Sequence, residues 1–327
     1  MLAENLNFSK TAQKAYITQQ CLSDHIRRME QKYGTQLFYR KPKVMLTPAG
    51  EAVQRTLNRI RIMEEGLLDE INEIENGLRG NLVIGMNSTR VKILFPEVFK
   101  QFHELYPNVN IDIILEETLN MEMMLLKGQL DFFVGIGRAD NPEFKTIPLY
   151  NESIHLLISE ILLNTHFPND PELRRRFSSG VDLALFKDIP FVRNLPQSQM
   201  TVLIDQYLSQ NNVKIKNIMS ISDYDVQIAL CLDGQVATFC PIMILQRVFA
   251  LNSTSGRNQC LYIFPLKNMT STLNVSIIRN AFINYPRYVK TFFNILRRQV
   301  VAVNRTLLQS YNKSLAKIRN SPEPTLS

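Results

Sequence analysis

The chain has 327 residues and a formal net charge of +7, too long for one ordinary hydrophobic core, so two or three domains are expected. Its apolar runs, such as 123–126 and 248–251, fall far short of the roughly 20 residues a membrane span needs, and no basic-then-apolar segment opens the chain; the expectation is a cytoplasmic protein with no membrane partner. Cys21, Cys231, Cys240 and Cys260 are scattered without a CxxC pair, which argues against a zinc framework and, in a reducing compartment, against a disulfide scaffold; no metal and no cofactor are expected.

The charge is unevenly placed. Residues 1–60 hold ten Lys or Arg against four Asp or Glu, residues 61–286 hold 19 against 25, and residues 287–327 hold eight against one. A basic head on a mildly acidic middle has the charge distribution of a phosphate-binding module attached to a body of another kind.

Within that head, Ser9 is placed to cap a helix through Ala15 by accepting from free first-turn amides, and Tyr16 and Ile17 break it. Thr18 caps a second helix reaching about Tyr33, in which Leu22, Ile26 and Met29 recur at spacings of four and three and form one apolar stripe. The opposite face holds Gln19, Gln20, Ser23, Arg27 and Arg28. Two short helices joined by a tight turn, the second apolar behind and polar in front, make a helix-turn-helix whose second helix fits a major groove. Gln and Arg there pair with adenine and guanine edges. Beyond Gly34, residues 37–46 read as two short extended pieces around the basic turn of Arg40, Lys41 and Lys43, a wing placed against phosphate. The candidate DNA contacts are therefore Ser9, Thr18, Gln19, Gln20, Ser23, Arg27, Arg28, Arg40, Lys41 and Lys43.

Pro48 suits a first helical turn, and no proline follows it until Pro96. Val53, Leu57, Ile60, Leu67, Ile71, Ile74 and Leu78 trace a coiled-coil seam interrupted once by Glu64. A helix through Asn76 would be roughly 43 Å long. Pairing with a second copy would set two recognition helices at a fixed separation; a helix lying on its own body is the other reading, and the charged flanks favour pairing.

From residue 80 onward strands and helices alternate: strand 80–85, loop 86–90, helix 92–105, strand 109–115, helix 119–126, strand 130–136. A second unit follows, with strand 190–193, helix 198–209, strand 216–220, helix 223–231 and strand 236–239, and residues 273–278 with a helix over 286–301 return to the first. Alternation implies parallel α/β sheets with a ligand in the crevice outside the carboxyl ends of the strands. Ser88 and Thr89 lie at a helix start, where hydroxyls and free amides suit a carboxylate. Thr118 and Gly135 end neighbouring strands, and Arg193 and Asn194 end a strand of the second unit. Helix capping by Ser88 and Thr89, and an ion pair at Arg193, are the competing assignments. The segment 159–186 is longer than a connection between the units requires and has no functional reading.

Taken together, Phe8-Ser9-Lys10-Thr11-Ala12, Thr18-Gln19-Gln20-Cys21-Leu22-Ser23, Ile26-Arg27-Arg28-Met29-Glu30, Leu37-Phe38-Tyr39-Arg40 and Leu46-Thr47-Pro48-Ala49-Gly50 resemble the head of the LysR-type transcriptional regulators. Glu116-Glu117-Thr118, Gly128-Gln129-Leu130-Asp131-Phe132 and Gly135 resemble that family's first effector lobe. The resemblance implies an α/β protein with an all-α/winged-helix head: a winged helix-turn-helix over 1–50, a linker helix over 48–79, and a two-lobed periplasmic-binding-protein-like effector domain. Lobe I is expected over 80–158 plus 266–303, lobe II over 159–265, and a basic tail over 304–327. Implied partners are double-stranded DNA, a second copy in a homodimer or homotetramer, RNA polymerase, and a small-molecule effector, commonly acidic, bound between the lobes.

Three departures stand out. The family opens with a full helix before Asn7, where only residues 1–6 stand here; Gln20 occupies a frequent proline position; and Asp24 stands where a basic residue is common. Asp24 either accepts from a cytosine amino group or ion-pairs with Arg27 or Arg28. The alternative function is a dimerising variant whose shortened head binds DNA weakly. An enzyme is disfavoured, since His25, His103, His155 and His166 form no HExxH and no GxSxG or phosphate loop occurs. Gly135-Ile136-Gly137 lacks a third glycine. An exported solute-binding protein would share the body but needs a signal peptide and has no use for a basic head, and residues 193–207 lack the cysteine pair of the family's peroxide sensors.

Overall fold

A computed structural model describes residues 1–76, 80–136, 141–168, 170–254 and 260–319. The head comprises α1 (Leu2–Asn5), α2 (Phe8–Lys14), α3 (Gln19–Tyr33) and an antiparallel pair, β1 (Phe38–Tyr39) with β2 (Met45–Leu46). Its core joins Leu2, Ala12, Leu22, Ile26, Leu37 and Phe38, so the predicted apolar stripe is the back of α3. The cap of α2 is Asn7, which accepts from the Lys10 amide at 2.9 Å, two residues before Ser9; Phe8 already packs against the head core from the first turn. Thr18 caps α3 as expected, accepting from the Cys21 amide at 3.1 Å. Gly34 ends α3 with φ +67°, a left-handed conformation that glycine adopts without steric cost. Glu30 then holds the wing, accepting from the Leu37 amide at 2.9 Å and pairing with Arg40 at 3.4 Å.

The linker helix, α4 (Pro48–Asn76), has 29 residues. One of its faces lies on its own body: Arg59 pairs with Glu143 and covers the Phe282 ring at 4.5 Å, Arg61 donates to the Lys127 carbonyl, and Ile62 is buried. Gly128, with φ +67°, leaves space for this contact, since a Cβ there would lie 2.7 Å from Ile62. The seam residues Leu57, Ile60, Leu67 and Ile71 remain exposed. The reading of a helix lying on its own body thus holds for the face carrying Arg59, Arg61 and Ile62. The Ile74 side chain and Leu78 lie outside the described residues, as does Gly137.

The body runs through β3 (Gly80–Met86), α5 (Ser88–Leu105), β4 (Val109–Leu115), α6 (Thr118–Leu126), β5 (Phe132–Ile136) and β6 (Phe144–Glu152). It crosses to β7 (Ile154–Ser159), α7 (Glu160–His166), α8 (Pro171–Phe177), β8 (Pro190–Arg193), α9 (Gln199–Gln210), β9 (Lys216–Ser220), α10 (Tyr224–Leu232), β10 (Ala237–Pro241), α11 (Leu245–Thr254) and β11 (Leu261–Pro265). It returns through β12 (Leu273–Asn280) and α12 (Arg287–Arg319). The strands form two five-stranded sheets, ordered β4-β3-β5-β12-β6 and β11-β7-β10-β8-β9. Only β3, β4 and β5 in one sheet and β8, β9 and β10 in the other are mutually parallel; β12 is antiparallel to β5 and β6, and β7 to β10 and β11. The sheets are therefore mixed rather than parallel, because β6, β7, β11 and β12 carry the chain between lobes and pair without a helical crossover.

Two expected boundaries move. The outward crossing falls at Ser153, so residues 154–158 belong to the second sheet, where all of Ile154–Ser159 is buried. The expected basic tail is helical through Arg319: Tyr288, Phe292 and Leu296 of α12 enter the first core, and Leu307, Tyr311 and Leu315 enter the second. One helix of 33 residues thus bridges both lobes. Its end is held where Arg319 donates to the Ser178 hydroxyl and carbonyl, both at 3.1 Å. Residues 159–168 and 170–186 of the long segment form a packed structural unit. Phe177 and Phe186 meet Phe167 and Phe264 at ring separations of 5.1–5.6 Å against the β11 edge, and Ser178 receives α12.

Beneath α12, His155 of β7 lies edge-on to Tyr311 at 4.6 Å and opposite Cys240 of β10. Burial pushes its pKa down to about 4. The unfolded chain therefore takes up this proton near pH 6.5 and the folded one only near pH 4, so stability falls as pH drops through that window. Wild type should lose roughly 3 kcal/mol more than His155→Phe between pH 7 and pH 4 in urea unfolding; equal losses would show that the ring does not carry this dependence.

Candidate DNA-reading face and interlobe cleft

On α3 the side chains of Gln19, Gln20, Arg27 and Arg28 are exposed and Ser23 is half-buried. Ser9, from the first turn of α2, donates to Oε1 of Gln19 at 2.9 Å, which occupies the amide oxygen of this exposed side chain and leaves its amide nitrogen as the other polar group. Asp24 stands 3.9 Å from Arg27, the ion-pair alternative of the two weighed for it. The Thr18 hydroxyl is engaged as the α3 cap. Arg40 is held by Glu30 and lies 5.8 Å over the Phe8 ring, while Lys41 and Lys43 are exposed in the β1–β2 turn. The third helix and the wing are thus tied together through Glu30.

Between the lobes lies a cleft of about 430 Å³, within the range of small-molecule sites. Ser88, Thr89, Thr118 and Asn194 line it. Gly135 and Arg193 are not among the lining residues. Gly135 instead leaves space for Thr118, whose Oγ1 would be 3.1 Å from a Cβ at that position. Arg193 pairs with Asp205 at 2.5 Å and donates to the Thr201 carbonyl at 3.4 Å. Successive side chains at a strand end point to opposite sides; Asn194 takes the cleft and Arg193 turns onto α9. Asn194 in turn donates to the Tyr224 hydroxyl at 3.2 Å and accepts from Gln227 at 3.1 Å, fixing Tyr224 at the cleft wall.

Sequence reasoning missed the cleft floor. Arg90, buried on α5, donates to Glu152 at 2.8 Å and to the Tyr150 hydroxyl at 3.1 Å. Burial disfavours the guanidinium charge, but Tyr150 and Glu152 outweigh it and hold the group charged; burial pushes the Tyr150 phenol well up. The available signal was Arg90 continuing the apolar stripe of Leu94, Val98 and Phe102 at spacings of four, a position a charge occupies only with a partner. At the cleft edge Asp225 of α10 meets Lys92 of α5 and Arg247 of α11, each at 2.5 Å, so one carboxylate links the two lobes. Among the described residues no cluster of His, Cys, Asp and Glu could hold a metal ion, and no helix is long and apolar enough to cross a membrane.

A winged helix-turn-helix carried by a long linker on a two-lobed, cleft-bearing body defines a class of helix-turn-helix proteins with a ligand-type domain. The profile described as "Bacterial regulatory helix-turn-helix protein, lysR family" matches residues 1–51, and the "LysR substrate binding domain" matches residues 75–300. The chain belongs to the LysR family. It is 32% identical over 159 residues to the uncharacterized HTH-type transcriptional regulator YkuM of Bacillus subtilis, covering 48% of this chain and 53% of that protein. A second B. subtilis regulator, YcgK, matches at 30% over 158 residues, 48% of this chain and 49% of YcgK; the chain thus spans about half the length of these two relatives. Among solved structures, ArgP from Mycobacterium tuberculosis superposes with a TM-score of 0.64 at 15% identity, covering 91% of this chain and 93% of that one.

Proposed function

We propose that the chain is a sequence-specific DNA-binding transcriptional regulator of the cytoplasm, modulated by a small molecule in the interlobe cleft. The observation that carries this reading is α3 itself, with Leu22 and Ile26 buried behind and Gln19, Gln20, Arg27 and Arg28 exposed in front, beside a wing offering Lys41 and Lys43. In a major groove the front face reads base edges while the wing meets phosphate. The exposed seam of α4 supports pairing with a second copy, as a homodimer or a homotetramer, because apolar residues at heptad spacing gain from a matching helix. Contact with RNA polymerase belongs to the same reading.

Fluorescence anisotropy on a duplex from the region upstream of the chain's own coding sequence tests it. Gln19→Ala and Arg27→Ala should each cost about 1–3 kcal/mol and blur base preference, whereas Lys41→Ala or Lys43→Ala should weaken binding to every duplex and lower the salt slope by about one. A Gln19→Ala, Arg27→Ala double variant that binds as wild type does would contradict the assigned face.

A further inference from the structure

We infer that the interlobe cleft is built for a zwitterion, a small molecule carrying both a carboxylate and an ammonium group as an α-amino acid does, rather than for a purely acidic effector. The inference rests on the effector-binding reading of the cleft. Four helices, α5, α6, α9 and α10, begin on its wall, and each helix start offers free amides and the positive end of a dipole. Their caps divide them into two pairs. α6 and α10 begin with carboxylates, Glu117 and Asp223. α5 and α9 begin with neutral side chains, Asn87 and Ser198.

Ser198 is the most telling of these. It lines the cleft, is 8% exposed, and makes no side-chain capping bond to α9. The Ser198 hydroxyl, on a residue so little exposed, makes no hydrogen bond among the described residues, and the Ser222 hydroxyl on the same wall is buried without a partner; since such groups are ordinarily paired, their remaining partner is whatever fills the cleft. With α9's first-turn amides also lacking a side-chain acceptor, Ser198 faces the ligand as part of a neutral anion cradle that Ser88 and Thr89 complete from the other lobe.

Charge then decides what else the ligand carries. The charged residues on the wall are Glu116, Glu117, Glu152 and Asp223 against Arg90 alone. Arg90 is engaged by Glu152 at 2.8 Å. Nearby cations are engaged as well, Arg193 by Asp205 and Lys92 by Asp225, each at 2.5 Å. Asp223 accepts from two α10 amides at 2.8 and 3.1 Å, which uses one oxygen; no ion pair with Glu117 or Asp223 is found among the described residues. A dianion would meet these carboxylates with only helix ends, each worth about half a charge, in its favour. A carboxylate on the Ser88, Thr89 and Ser198 side and an ammonium on the Glu117 and Asp223 side satisfies both halves.

Titration calorimetry on the full chain, after a thermal-shift screen, tests this with two probe sets: the L-amino acids, and amine-free acids comprising lactate, malate, succinate, benzoate and shikimate. The expected result is binding by an amino acid that weakens about 10- to 100-fold in Glu117→Gln or Asp223→Asn, and equally when a hydroxyl replaces its amino group. Asn at 223 keeps an oxygen for the α10 cap, so the loss should come without a lower melting temperature. Ser198→Trp, which fills the cleft, should abolish binding. Binding by amine-free acids where amino acids are inert, or amino-acid binding indifferent to these substitutions, overturns the charge assignment and leaves the effector reading standing. Silence from both sets in a chain that melts cooperatively and still binds DNA overturns the effector reading and the inference with it.

Discussion

Glu152→Ala should destabilise the chain by about 3–5 kcal/mol, among the largest losses any single side chain here would cause. The reason lies in what remains rather than in what is removed. Arg90 and Glu152 are both buried, and taking the carboxylate away leaves a largely desolvated guanidinium without its counter-charge, its side chain held by Tyr150 at 3.1 Å. Arg90 stays protonated across the accessible pH range because guanidinium does not release its proton there, so neutralisation offers no escape. Replacing both partners, as in Arg90→Met with Glu152→Met, removes the charge and its counter-charge together and should fall within about 2 kcal/mol of wild type. Urea unfolding of the two single variants and the double one gives the coupling directly. A single-variant loss below about 1 kcal/mol would mean that water reaches the guanidinium and that the pair is not the desolvated cleft floor described above.

The head was legible in the sequence because its determinants are local. Leu22, Ile26 and Met29 lie within two turns of one helix, and Thr18 caps the helix it precedes; such signals survive without knowledge of the rest of the chain. Strand pairing is not local. Nothing near Ile154 or Leu273 says that β7 and β12 run antiparallel to their neighbours, and only the crossing at Ser153 fixes which sheet residues 154–158 join. Ending a strand at the cleft makes Arg193 a cleft candidate in the sequence, with an ion pair as the competing assignment; the ion pair is what forms, and it depends on Asp205 of α9. Arg90 is obscured for the opposite reason. Its spacing with Leu94, Val98 and Phe102 is a local signal, but its partners Tyr150 and Glu152 lie about sixty residues on, and a basic side chain on an apolar stripe acquires a meaning only with them.

The second prediction separates a helix from a tail by comparing two adjacent leucines. Counting charge alone, residues 304–319 read as a basic extension; counting spacing, Leu307, Tyr311 and Leu315 repeat every four residues and form a stripe. In the fold that stripe is buried in the second lobe, while Leu308 is 49% exposed. Leu307→Ala should therefore cost about 2–5 kcal/mol, the range for a buried leucine whose surroundings close only partly around the void. Leu308→Ala should stay within about 0.5 kcal/mol. The two substitutions are chemically identical and have nearly the same effect on helix propensity, so the difference measures packing against the second lobe and nothing else. Equal and small effects on the urea midpoint would return these residues to solvent and remove the bridge between the lobes. A large effect at Leu307 alone would make α12, with Phe292 in one core and Leu307 in the other, the element any opening or closing of the cleft has to bend or slide against.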